Sequence, residues 1–250
     1  MERERIMSIK IKKQIVFKIF IIAVLNVVFS GYLLTDLNSS KNDNIIQSIF
    51  GSISVECSSN IILVMVKAIP MIVFFSWIVN KYISELKDNF IYIFLRTSNR
   101  ENCLQKTVIK TFLSIFIYEF FVITTGLIIF IAPRGNREIS VDNVCILLVV
   151  NTLQMFMIAL ISNMLVLFKS EVVANLGNII LTTTPLIVVG VLYEERLSFT
   201  NFAKWFPLNL GNYTFLNSMK ENVTSILAML IISCGLYFIT VHKLKKYELL

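Results

Sequence analysis

Four ionisable side chains sit inside otherwise apolar stretches of this 250-residue chain: Lys18, Lys67, Lys110 and Glu119. A charge in hydrocarbon is costly enough to require a partner, a path to water or a function. Lys18 and Lys110 lie near the ends of their stretches, where the alkyl stem lets the ammonium reach the interface. Lys67 and Glu119 are too deep for that. Counted from the polar ends at Asn80 and Thr107, they lie about 20 Å and about 18 Å deep at a helical rise of 1.5 Å per residue. They therefore fall at matching depth on consecutive, antiparallel helices. The chemistry this allows is a charge pair, Lys67 with Glu119, in which each side chain offsets the other's desolvation. Contact with a transported substrate is the alternative.

The rest of the chain offers little catalytic chemistry. A nucleotide-binding G-x-x-x-x-G-K-[ST] loop, whose backbone amides cradle phosphate, is missing from the sequence. The one histidine, His242, is in the C-terminal tail, which leaves a zinc site or a Ser/His dyad at membrane depth without its imidazole. Asp36, Asp43, Asp88 and Asp142 all fall in expected loops, so no intramembrane aspartyl dyad arises. Cys57, Cys103, Cys145 and Cys234 are scattered and form no C-x-x-C metal or redox pair. The expectation is a chain that is not an enzyme and binds no metal or cofactor of its own.

The elements that must hold Lys67 and Glu119 are membrane helices. The sequence is 56% hydrophobic and 16% charged, with a mean hydropathy of +0.75, whereas soluble domains carry about 25% charged residues. Six stretches approach the roughly 20 residues needed to cross a bilayer core: about 14–35, 61–80, 107–132, 144–168, 172–192 and 223–241. Lys18 and Asn26 inside the first, with no cleavage pattern close behind, mark it as a retained span rather than a signal peptide. On one side of these spans lie Arg3, Arg5, Lys10, Lys12, Lys13, Lys81, Lys87, Arg96, Arg100, Lys106, Lys169, Lys243, Lys245 and Lys246. The other side has Lys41, Arg134, Arg137, Arg196, Lys204 and Lys220. Fourteen against six places the first side, with both termini, in the cytoplasm. The net charge of +7 is then a topology signal and an attraction to anionic membrane lipid, and does not imply nucleic-acid binding. The expected fold is an all-α membrane protein, a single domain over residues 1–250 with six transmembrane helices.

Between spans two and three, residues 81–106 form a charged, amphipathic island. As a helix, Ile83, Leu86, Phe90 and Phe94 share one face while Glu85, Lys87, Asp88 and Asn89 point elsewhere, a pattern that predicts a helix lying along the membrane surface. Ser98 and Glu101 then make an S-x-x-E capping box that starts a new helix. A short helix is expected over 44–53 in the first outer loop. The loop from Tyr193 to Asn222 is rich in aromatic residues and either dips back into the interface or forms an aromatic belt there. Pro70 and Pro185 occupy similar places in spans two and five, which suits a secondary transporter built from repeats.

Taken together, six spans, cytoplasmic termini, a basic lead-in, the 81–106 segment, a tight hairpin at Lys169, Ser170 and Glu171, and the stretch FAKWFPLNL at 202–210 resemble the permease subunit of type-2 ABC exporters. The resemblance covers the whole length through loose motifs. It implies a coupling helix within residues 82–101, with Arg96, Thr97, Ser98, Asn99, Arg100 and Glu101 contacting a separate ATPase subunit that binds ATP and Mg. Lys169, Ser170 and Glu171 would be a second contact, and residues 202–210 would correspond to a re-entrant outer loop before span six. Size and the abundance of Ile, Phe, Lys and Asn are similar to small permeases of lantibiotic or bacteriocin immunity and of peptide-toxin export, in a bacterial cell membrane. The resemblance thus implies an amphipathic peptide cargo and a second permease copy or paralogue as partner. Spans one, two and five would line the path, with Phe17, Phe20, Phe74, Phe75, Pro185 and Val189 as candidate lining residues. An ATP-independent secondary transporter or channel is the alternative function, and a non-transporting membrane anchor or sensor partner a third.

Overall fold

The computed structural model describes residues 2–37, 58–88, 100–131, 141–195, 205–211 and 219–246. Among the described residues there are six long helices and no strand. Helix α1 spans Glu2–Leu37. Helix α2 spans Ile61–Asp88 and is interrupted only by a π-helical turn at Phe75–Val79. Helix α3 covers Arg100–Gly126 and ends in a second π-helical turn at Leu127–Ile131. Helices α4, Val141–Phe168, and α5, Glu171–Glu194, form a hairpin; α6 covers Met219–Lys246.

Local chemistry explains several of these ends. The Asn60 side chain accepts from the Ile62 and Leu63 amides at 3.1 and 3.4 Å, which satisfies donors that an α-helix start leaves without partners. Ser170 does the same for Val173 at 3.3 Å, so α5 begins after only two intervening residues, Lys169 and Ser170. Helices α2 to α6 are each long and apolar enough to cross a membrane. The remaining expected span, 14–35, lies within α1.

Helix α4 is the centre of the bundle. It packs against α2, α3, α5 and α6, while α1 lies on α2 and α3, and α2 also meets α5. Half of the most apolar window of α4 is buried against protein, compared with 22% for α6 at the periphery. The largest core cluster joins Ile22 and Val27 of α1, Phe74 and Phe75 of α2, Tyr118 of α3 and Met155 of α4. Phe74 stacks on Tyr118 at 4.4 Å between ring centroids. Large apolar side chains such as Ile62, 74% exposed, and Ile231, 71% exposed, cover the outside, as a lipid-facing surface requires.

The structure corrects the expected helix lying along the membrane surface after span two. Residues 81–88 continue α2 without a break, and their apolar face is buried: Ile83 and Leu86 pack with Leu104 of α3, Val166 and Leu167 of α4, Ala174 of α5 and Leu244 of α6. No glycine or proline stands between Trp77 and Asp88 to end the helix. The π turn at Phe75–Val79 adds a residue and so rotates the following stripe by about 100°, which a simple 3.6-residue count does not anticipate. Phe90, Phe94, Ser98 and the expected helix at 44–53 lie outside the described residues. Helix α3 is described from Arg100, seven residues before the expected apolar span.

At the end of the bundle away from Ile83, α5 crosses the start of α2 in close contact. A Cβ on Gly190 would overlap the backbone of Ser58 and Ser59, and the Ser59 hydroxyl donates to the Glu194 carboxylate beside it. Gly190→Ala is expected to lower the thermal unfolding midpoint of the detergent-solubilised protein, with a cost of about 1–3 kcal/mol for overpacking a filled site. Gly235→Ala, where the added methyl group meets nothing within 4 Å, leaves the midpoint unchanged or raised.

Candidate functional site

A partly open cavity of about 90 Å³ with mixed polar and apolar walls lies among the helices, with room for several waters at roughly 30 Å³ each in the liquid. Helical periodicity brings its walls together. Val64, Lys67, Ala68 and Met71 follow one another along α2 at i, i+3, i+4 and i+7, and Asn151, Gln154, Met155 and Ile158 repeat that spacing on α4. Asn26 comes from α1, Tyr118 and Glu119 from α3, and Thr182 from α5.

Lys67 and Glu119 face this same cavity and attract each other electrostatically. Glu119 is only 5% exposed and is hydrogen-bonded by Asn151. Asn26 donates to the Tyr118 hydroxyl at 3.0 Å, joining α1 to α3 beside the carboxylate. The arrangement compensates two opposite charges with amides instead of exposing them to lipid.

One wall of the cavity comes from outside the long helices. The described segment 205–211 holds a 3₁₀ turn at Pro207–Asn209 and is folded into the bundle, with Asn209 and Leu210 buried. Three helices hold it. Gln154 of α4 donates to the Leu208 carbonyl at 2.8 Å, Asn209 donates to the Pro185 carbonyl of α5 at 3.1 Å, and Ser225 of α6 donates to the Leu210 carbonyl. Gly211 lies so close to Gln154 that a Cβ would overlap the amide, so the backbone itself forms part of the cavity lining.

A second constellation occupies the end of the bundle that carries Ile83, here called the basic end. Lys87 of α2 donates to the Val166 and Lys169 carbonyls at 3.0 Å each, bonding its ammonium to the C-terminus of α4, where the helix dipole favours a cation. One turn before Ile83, Asn80 donates to Asn175 of α5 at 2.7 Å and accepts from Ser162 of α4 at 2.6 Å; Ser76 also donates to Asn175. Tyr82 and Ser114 join α2 to α3 at 3.1 Å. Helix α2 is thus bonded to three neighbours at this end.

The sequence candidates distribute unevenly over this frame. Lys169 and Glu171 are exposed at the α4–α5 hairpin and Ser170 caps α5. Arg100 opens α3 and Glu101 lies in its first turn; Arg96, Thr97, Ser98 and Asn99 fall outside the described residues. Of the six candidate lining residues, the structure brings only Phe17, 63% exposed, and Phe20 to the surface. Phe74 and Phe75 are sealed in the core, Val189 is buried, and Pro185 is buried under Asn209. Asn151, Gln154, Tyr118, Thr182 and Gly211 were not singled out by sequence. The signal that could have found two of them is the amide pair Asn151 and Gln154, one turn apart in an apolar run.

Among the described residues, five helices are long and apolar enough to cross a membrane, which gives the class as a multi-span membrane protein. No known protein family matches the chain, no curated protein matches it in sequence, and no solved structure matches its fold.

Lys67→Glu and Glu119→Lys are each expected to cost about 3–5 kcal/mol by leaving like charges in the cavity. The double exchange restores most of that loss, as measured by thermal unfolding of the detergent-solubilised protein. A double variant no better than either single change contradicts a charge pair.

Proposed function

We propose that this chain is the membrane-spanning permease subunit of an ATP-driven exporter of the type-2 ABC kind, moving amphipathic or antimicrobial peptides out of a bacterial cell. In this reading all six helices cross the membrane, both termini and the basic end are cytoplasmic, and the 205–211 turn belongs to a re-entrant outer loop. A separate ATPase subunit, holding ATP and Mg, docks on residues 96–101 and on the hairpin at Lys169, Ser170 and Glu171. A second permease copy or paralogue completes the path.

The observation that carries this reading is the Lys87 clamp. The resemblance implies one docking element after α2 and another between α4 and α5, and Lys87 bonds the end of α2 to Val166 and Lys169 beside that hairpin. The cluster of Ile83, Leu86, Val166 and Leu167 packs the same two elements together. In this reading a push on either one reaches α4, the helix around which the bundle is arranged, because packed side chains and hydrogen bonds between rigid helices can carry such a displacement.

The central cavity favours a second reading, a secondary transporter or channel whose ligand reaches Lys67 and Glu119. The two readings separate on one preparation. An ATPase subunit that co-purifies with the chain and is needed for transport supports the exporter; ion-gradient-driven transport by the isolated chain in vesicles overturns it. Within the exporter reading, Lys87→Met is expected to leave ATPase binding intact while ATP-driven export falls by about tenfold, on the order of 1.4 kcal/mol of lost coupling.

A further inference from the structure

A groove of about 550 Å³ opens on the outer surface of the bundle at the basic end. Lys18 of α1, Trp77, Lys81, Glu85 and Asp88 of α2, and Glu171 of α5 line it. We propose that this groove binds the headgroup of a phospholipid that carries both a phosphate and a primary amine. The site does not depend on the transport reading and stands or falls separately from it.

Charge complementarity selects this class. Two ammonium groups on one groove match a phosphate, but three carboxylates beside them repel a headgroup that offers only negative charge. A purely cationic ligand meets the converse difficulty at the lysines. A zwitterion satisfies both sets, with its phosphate toward Lys18 and Lys81 and its ammonium toward Asp88, Glu85 and Glu171. A primary ammonium also donates hydrogen bonds to carboxylates, which a quaternary choline ammonium cannot do. The internal pair Lys81 with Glu85, at 4.0 Å and largely in solvent, is weak enough to yield to such a ligand.

Position points to a lipid as the source of that headgroup. Trp77 is 62% exposed one turn from Lys81, and indole rings favour the depth where headgroup meets acyl chain. Phe17 and Ile21 flank Lys18 on α1, and Val172 follows Glu171 on α5; all three are exposed apolar side chains that acyl chains can cover. The groove thus provides a charged floor beside an apolar surface.

The test is native mass spectrometry of the full chain, relipidated with equal amounts of phosphatidylethanolamine, phosphatidylcholine and phosphatidylglycerol of matched chains. Phosphatidylethanolamine is expected to be retained several-fold over the other two. Lys18→Gln with Lys81→Gln lowers retention of all three, whereas Glu85→Gln with Asp88→Asn makes phosphatidylethanolamine and phosphatidylcholine equal. The single changes Lys81→Gln and Asp88→Asn, at exposed positions, give the same trends if a double variant fails to fold. Equal retention of the three lipids by the unaltered chain overturns the proposal, and so does a preference that survives both sets of changes. Retention of a cationic amphipathic model peptide that is lost in Glu85→Gln with Asp88→Asn, with none of the three lipids retained above the others, also overturns it, reassigning the groove to peptide.

Discussion

The structure depends on how a lysine and a glutamate are kept away from lipid. Neither Lys67 nor Glu119 can reach an interface from its depth, so the helices that carry them must place both on an inward face. That requirement orders α2 and α3 around α4, which supplies Asn151 and Gln154 at the same level, and draws in Asn26 from α1. Once charges are buried, removing one partner is more damaging than never having buried the pair. The cavity is accordingly a point of specificity as much as of stability: a helix rotated by one residue would turn a charge into hydrocarbon.

The ends of the bundle solve different problems. At the end away from the basic residues, the irregular segment 205–211 is folded into the bundle, where unpaired buried backbone groups would be costly. Gln154, Asn209 and Ser225 supply the hydrogen bonds, and Gly211 lets the backbone lie against Gln154 without a side chain intervening. At the basic end the helices are tied through Lys87, Asn80 and the cluster around Ile83. The two polar sites share α2 and α4, which contribute residues to both.

Much of the fold was legible because membrane helices advertise themselves through composition: roughly 20 apolar residues in a row need no tertiary context to be recognised. The same locality explains why residues 81–88 differ from the expected surface helix. Amphipathic spacing says only that one face is apolar, not whether lipid or protein covers it. Here Leu104, Val166 and Leu244 cover it. Phe74 and Phe75 carry a similar lesson, since an aromatic pair in a span has the same sequence whether it lines a path or, as here, fills the core against Tyr118.

The sequence by itself determined that the chain is a helical membrane protein, where its apolar stretches lie and that two buried charges need an explanation, since transfer energies and helix length are properties of local sequence. Only the tertiary structure decided that Asn26, Asn151 and Gln154 meet Lys67 and Glu119 in one cavity, that Gly211 lines its wall, and that Lys87 bonds to the end of α4. Those contacts join residues tens of positions apart on different helices, and their geometry depends on helix rotation. A single π turn or one missing Cβ alters that rotation or approach in ways that apolar periodicity does not encode.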